Sequence, residues 1–417
     1  MRIALLSYRS KPHCGGQGVY VRHLSRELVR LGHEVEVFSG QPYPELDDGV
    51  RLTKVPSLDL FGEPEPFRTP RPSEIRDWTD VLEVLAMWTA AFGEPLTFSL
   101  RMARVLRSRR DDFDVVHDNQ CLGYGLLSIK RQGFPLVATI HHPITRDRTL
   151  AVRAARGLAK ISAWRWHSFL AMQGRVARRI PSLLTVSRSS EDDIRDAFRV
   201  RPGALATIPL GVDVDRFAPS ATTTPGSIVC VASADAPLKG VSYLLEAVAK
   251  VGAERPVHLT LVSRLDPDGP SARLIDQLAI GDRVTVVSGL DDDELAGVLA
   301  DAEIAVVPSL YEGFSLPAVE AMSCGVPLVA TRAGAIPEVV GDREEAAVLV
   351  PPADAGALAQ ALLELLDDPD RRRRLGHGGR LRAVERYSWS AVARATADRY
   401  RAAIDAGPDA TARSEQC

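Results

Sequence analysis

Residues Tyr311-Glu312-Gly313-Phe314-Ser315-Leu316-Pro317-Ala318-Val319-Glu320 set two carboxylates eight positions apart, across a glycine turn and a proline-started helix. The apolar run Ile304 to Val307 ahead of them predicts a buried parallel strand. Glu312 to Ser315 then form the turn at its carboxyl end, and Pro317 takes the first helical position. Open α/β sheets bind ligands outside the carboxyl ends of their strands. There the amides of Phe314, Ser315 and Leu316 face outward at the positive end of a helix, which suits a diphosphate. Glu312 can reach a sugar hydroxyl, and Glu320, about one turn into the helix, can accept from both hydroxyls of a ribose.

These residues resemble a known family. Glu312 and Glu320 have the Glu, seven residues, Glu spacing of retaining glycosyltransferases of family 4. The continuation Ala321-Met322-Ser323-Cys324-Gly325-Val326-Pro327-Leu328-Val329-Ala330-Thr331, with Gly334 and Pro337-Glu338, is similar to that family as well. The resemblance covers nearly the whole chain. It implies an α/β fold of the GT-B kind, two Rossmann-like doubly wound parallel-sheet domains facing a central cleft. It also implies transfer of a sugar from a UDP- or GDP-sugar to an acceptor hydroxyl, with retention of anomeric configuration.

The composition agrees with such a protein. A chain of 417 residues is too long for one core and predicts two domains. With 45% hydrophobic and 25% charged residues it has ordinary globular composition. It shows no uncharged apolar run of membrane-spanning length and no signal-peptide architecture at Met1 to Tyr8. The cysteines Cys14, Cys121, Cys230, Cys324 and Cys417 are scattered without CxxC spacing, against a disulfide framework or a zinc site, so a cytoplasmic setting is expected, and arginine greatly outnumbering lysine hints at a bacterial gene. Residues 1–200 hold 30 Lys and Arg against 23 Asp and Glu, leaving 21 against 31 for the remainder. That asymmetry fits an anionic acceptor or surface on the first half, or neutral drift between two domains.

Strand-length apolar runs alternate with helix-length amphipathic segments in two series. The first holds Ile3 to Leu6, a helix from about Gly18 to Leu31, Val35 to Phe38, Val115 to His117, Leu136 to Ile140 and Leu183 to Val186. The second holds Ile228 to Val231, a helix near Tyr243 to Val251, His258 to Val262, Val284 to Val287, Ile304 to Val307 and Leu328 to Ala330. Pro209 to Asp213 and Ala218 to Gly226 read as linker. The expected division is an acceptor-side domain over 1–205 and a donor-binding domain over 206–386. A helix over 387–406 crosses back, as the resemblance implies, and 407–417 form a disordered tail.

Cys14-Gly15-Gly16-Gln17-Gly18 is a glycine-rich turn after the first strand, without the spacing of a dinucleotide fingerprint. In the resembled family this loop lies beside the donor phosphates, implying Gly16 on the donor side and Gly15 and Gly18 on the acceptor side. His141, in Ala138-Thr139-Ile140-His141-His142-Pro143, ends a first-domain strand and resembles the family's active-site histidine, which contacts the transferred sugar. One ring nitrogen is expected to bond a sugar hydroxyl while a backbone group fixes the other. His142 and the turn His117-Asp118-Asn119 are expected on the acceptor side, although the family often has histidine where Asn119 stands. Lys239-Gly240 matches the family's cation for the donor diphosphate. The arginine usual five or six residues earlier is absent, Ser233 and Ala234 standing there, and Arg264 is its expected substitute. Leu210 also departs from the asparagine common in the family's linker.

In glycosyl transfer the leaving diphosphate gathers negative charge as the sugar becomes oxocarbenium-like. Lys239, the amides from Gly313 to Leu316 and a helix terminus can stabilise that charge by preorganised electrostatics. No metal is expected, since no DxD motif ends a strand and Asp291-Asp292-Asp293 reads as a helix start. The expected catalytic residues are His141, Glu312 and Lys239. The acceptor is an unidentified hydroxyl of a glycan, lipid or small molecule; nucleic acid is not expected. From Arg146 to Arg179 nine Lys and Arg accompany one acid, with Trp164, Trp166 and Phe169 among them. That stretch is either a basic helix lying on the inner face of the membrane or a solvated helix with core aromatics. Pro56 to Pro72 reads as a candidate lid. A catalytically degenerate sugar-nucleotide-binding protein and a nucleotide-sugar epimerase of the same fold stay open.

Overall fold

The computed structural model describes residues 1–10, 16–62, 65–141, 143–341 and 343–407. The chain divides into two compact units. The first comprises Met1–Val186, Ser190–Ile208 and the chain from Val392; the second comprises Ser187–Ser189 and Pro209–Ala391.

Among the described residues of the first unit, seven parallel strands form one sheet: β1 (Arg2–Ser7), β2 (Glu34–Ser39), β3 (Arg51–Lys54), β4 (Val115–Asn119), β5 (Leu136–Ile140), β6 (Ser182–Thr185) and β7 (Leu205–Thr207). Their order is β3-β2-β1-β4-β5-β6-β7. β1, β4 and β5 are buried almost throughout, hence the near-continuous apolar sequence of β1 and β5, whereas β4 turns polar at His117, Asp118 and Asn119. Leu6, Phe38, Met102, Leu106, Phe134 and Ile140 share the core on which helices pack. The second unit holds β8 (Thr224–Val231), β9 (His258–Val262), β10 (Val284–Val287), β11 (Ala302–Val307), β12 (Leu328–Thr331) and β13 (Ala347–Val350), all parallel in the order β10-β9-β8-β11-β12-β13. Each sheet reverses its winding once, at β1/β4 and at β8/β11. These are the switch points whose carboxyl ends open a crevice for a ligand.

Several boundaries differ from the sequence reading. β8 starts inside the segment read as linker, because the Thr224 amide bonds Asp301 O at 2.9 Å and Thr224 pairs with Ala302. The short strands β3, β7 and β13 were not anticipated; β3 (Arg-Leu-Thr-Lys) is a polar edge without a period-two pattern. The basic stretch is three helices, Thr145–Ala154, Leu158–Trp166 and Phe169–Ala177. Trp166 packs among Phe61, Phe67 and Phe92, and Phe169 is buried against Phe92, so of the three aromatics named there only Trp164 is exposed. The candidate lid is pinned: Leu58 and Leu60 are buried against Val84 and Met87, and the Leu58 amide donates to Glu83 at 3.0 Å. Among the described residues no helix is long and apolar enough to cross a membrane.

Candidate active site

In the second unit, the loops after β8 and β11 meet at the switch point. Lys239 ends a short 3-10 turn, Pro237–Lys239, and Gly240 follows at φ +64. A side chain at Gly240 would lie 2.1 Å from Pro308 O, so only glycine lets the loops approach; the Leu310 amide then bonds Leu238 O at 2.8 Å. Gly334 does the same on the other flank, where a Cβ would fall 2.2 Å from Glu312 O. The Ala335 amide holds that carbonyl at 2.9 Å.

So fixed, Glu312 receives Lys239 Nζ at 2.8 Å and the Ser309 hydroxyl at 2.7 Å. Both bonds fall on Oε1, and among the described residues nothing donates to Oε2. The side chains are 12% and 32% exposed for Glu312 and Lys239, so the pair is reachable by a ligand. A lysine at a helix entry opposes the helix dipole, and here Glu312 supplies the local anion that offsets it. Arg264, at the carboxyl end of β9, is exposed and forms no ion pair among the described residues.

The helix Leu316–Ser323 begins one residue before the expected position, so Pro317 is its second residue. Ser315 caps it at φ +92, a backbone cost on the order of 1–3 kcal/mol for a residue with a Cβ. Its hydroxyl is buried without a partner, and the amides of Phe314, Ser315 and Leu316 donate to no group among the described residues. Strained backbone, orphan donors and a helix N-terminus are together features that suit an anion. Farther along, the half-buried Glu320 carboxylate meets no donor among the described residues. Burial, and secondarily Asp292, pushes its pKa up to about 7. A carboxyl raised this way favours folding while neutral, so its contribution is lost as pH rises from the ordinary carboxylate range through about 7. Glu320→Gln removes that loss: its stability advantage over wild type should grow between about pH 5 and about pH 8 in thermal melts.

In the first unit, His141 follows β5, and its amide donates to Gln120 Oε1 at 2.8 Å. Its Nε2 is 2.8 Å from Asn119 Oδ1, so a side-chain amide, rather than the expected backbone group, fixes the ring. Asn119 Nδ2 faces the Gln17 carbonyl, which only accepts; that orientation puts Oδ1 toward His141 and the ring proton on Nε2. In the neutral ring Nδ1 is then the acceptor. The Tyr20 ring packs edge-on to the imidazole at 4.8 Å. Asn119 is fully buried and serves as a positioning residue, not as part of an acceptor-facing surface. Asn119→Ala should lower turnover on the order of 10- to 100-fold through loss of ring orientation, with Asn119→Asp recovering part of it in the same rate assay.

The expected turn His117-Asp118-Asn119 is strand β4 and wholly buried. His117 bridges Tyr400 Oη at 2.6 Å and Thr139 Oγ1 at 2.7 Å, and burial pushes its pKa down to about 3, so it is a neutral structural link. Gly16 and Gly18 lie in the first turn of helix α1 (Gly16–Arg30), just after the loop. Gly15 and His142 lie outside the described residues, as does the tail over 408–417. Sequence reasoning missed Ser309, Gln120 and Tyr20; only the positive φ of Gln120 marks any of them as unusual.

Known proteins resemble this chain in sequence and in fold. Residues 225–368 match the family Glycosyl transferases group 1, and residues 14–216 match Glycosyltransferase Family 4. The chain is 63% identical to an MMP alpha-(1->4)-mannosyltransferase of Mycolicibacterium hassiacum, over 97% of this chain and 98% of the relative. It is 31% identical to a glycogen synthase of Mycobacterium tuberculosis, over 97% and 95%. Among solved structures, a sucrose-phosphate synthase of Thermosynechococcus elongatus superimposes with TM-score 0.72 at 26% identity, covering 97% of this chain and 99% of that one. With its two doubly wound parallel sheets, the chain belongs to the group 1, family 4 glycosyltransferases of GT-B fold.

Proposed function

We propose that this glycosyltransferase moves a mannosyl residue from a nucleotide-diphosphate mannose, UDP- or GDP-linked, to the 4-hydroxyl of a sugar acceptor with an α linkage. The observation that carries the donor reading is the Lys239–Glu312 pair, 2.8 Å long, beside unpaired amides and an orphan hydroxyl at a switch point. The mannosyl and α-(1→4) assignments rest on the 63% identical relative.

Lys239, Arg264 and the amides of Phe314, Ser315 and Leu316 take the diphosphate; Glu320 takes the ribose hydroxyls; Glu312 Oε2 accepts from a hydroxyl of the sugar. His141 hydrogen-bonds the transferred sugar. The bond from the anomeric carbon to phosphate oxygen breaks, the bond to the acceptor oxygen forms on the same face, and the acceptor proton passes to the departing phosphate. Mannose nucleotides are α-linked, so an α product means retention. Lys239 and the helix terminus meet the developing phosphate charge, which leaves no step that requires a metal. Activity is accordingly expected to survive EDTA in a rate assay, and its loss would overturn that part.

The test is incubation of UDP- and GDP-linked mannose and glucose with a manno-oligosaccharide, read by anomeric proton NMR. One new α-(1→4)-mannosyl signal is expected. Donor left intact, with neither acceptor product nor free sugar, would identify a degenerate site, and a donor converted to another sugar nucleotide would identify an epimerase.

A further inference from the structure

The helix α2 (Trp78–Trp88) is amphipathic in the inverted sense. Asp77 caps it by accepting from the Thr79 and Asp80 amides. Its buried face carries Thr79, Asp80, Glu83, Val84 and Met87. Asp80 and Glu83 are each held at 2.6 Å by Arg101 of helix α3 (Glu94–Arg107), and Thr97 donates to Glu83 at 2.8 Å. An ion-pair network thus secures the inner face. The opposite face turns Trp78, Val81, Leu85 and Trp88 to solvent, at 55%, 41%, 48% and 64% exposure.

The spacing of these four side chains is three, four and three residues, which reads the same in either direction, with the large rings outside and the smaller chains inside. We propose that this face is the centre of a homodimer, paired with the same face of a second copy of the chain about an antiparallel two-fold axis. Trp78 then lies opposite the second copy's position 88, and Val81 opposite its position 85, as a two-fold contact requires. The four side chains present roughly 400 Å² of apolar surface, comparable to the largest single patch of a typical monomer, which is often functional. Ile161 and Trp164, 58% and 59% exposed on the helix Leu158–Trp166, extend it. That helix is tied to the carboxyl end of α2 by a bond from Arg165 Nε to Thr89 O. Together they approach the roughly 800 Å² per partner of a stable interface. A lipid surface fits less well at the centre of the patch, because α2 itself has no Lys or Arg and both its carboxylates face inward, although Arg104 lies over Trp78 and Lys160 and Arg165 are exposed on the neighbouring helix.

Sedimentation velocity of the full chain at tens of micromolar, with Leu85→Glu and the double variant Val81→Lys, Leu85→Glu alongside, tests this. Wild type is expected as a dimer. Leu85→Glu should raise the dissociation constant on the order of 100-fold with its melting curve retained. The double variant sets Lys against Glu across the two-fold and should recover the dimer. A monomeric wild type, or a dimer indifferent to Leu85→Glu, would overturn the proposal. So would a monomer that co-sediments with phosphatidylglycerol vesicles through this face, which would assign it to lipid.

Discussion

Lys239→Ala should lower kcat about 100- to 1,000-fold, the usual effect of removing one preorganised group from developing transition-state charge. Lys239 bonds Glu312 at 2.8 Å, and Glu312 immediately precedes the turn whose unpaired amides open the helix Leu316–Ser323. Its charge acts most on the departing phosphate, so the loss should appear in kcat more than in donor KM. The substitution also leaves Glu312, 12% exposed, with Ser309 as its one side-chain partner among the described residues. Glu312→Gln separates the two effects. It frees Lys239 and keeps the shape, so a smaller loss in Glu312→Gln than in Lys239→Ala, measured by steady-state kinetics, assigns the larger role to the cation.

The largest stability effect belongs to Arg101→Met, with an expected loss of about 3–5 kcal/mol, the cost of removing one partner from a buried ion pair. Arg101 is 8% exposed and satisfies both Asp80, at 1%, and Glu83, at 5%. Arg76 still reaches Asp80 at 3.0 Å, but Glu83 retains only Thr97 and the Leu58 amide. Replacing all three charges, with Asp80→Asn and Glu83→Gln added, should recover much of the loss, since the penalty comes from uncompensated charge. Urea unfolding monitored on the single and triple variants checks this; equal midpoints for the two would deny the network its role.

The donor-side elements were legible because their signals are local. Glycine and proline mark backbone that must turn at Gly313 and enter a helix at Pro317, and the apolar run of β11 marks the strand before them. The need for glycine at 240 and 334 follows from the carbonyls of residues 308 and 312, which an added Cβ would meet at 2.1 and 2.2 Å and which no local pattern records. The task of Asn119 depends on the pairing of β4 with β5, where Asn119 lies opposite Thr139 and two residues short of His141. An isolated strand-end Asn looks the same whether it faces a ligand or a neighbouring ring. α2 escaped for a different reason. Its apolar repeat points outward and its carboxylates inward, so a periodicity argument would assign the wrong face to the core.

The central claim is that the switch point of the second sheet holds a sugar nucleotide through Lys239, Glu312, the free amides and Glu320. Thermal unfolding of wild type and Glu320→Ala with UDP, GDP, ADP and their mannose and glucose conjugates tests it most directly. One nucleotide series is expected to raise the wild-type Tm, and Glu320→Ala, folded in its own right, to lose the response. Stabilisation of both proteins alike, or of neither by any nucleotide, would contradict it.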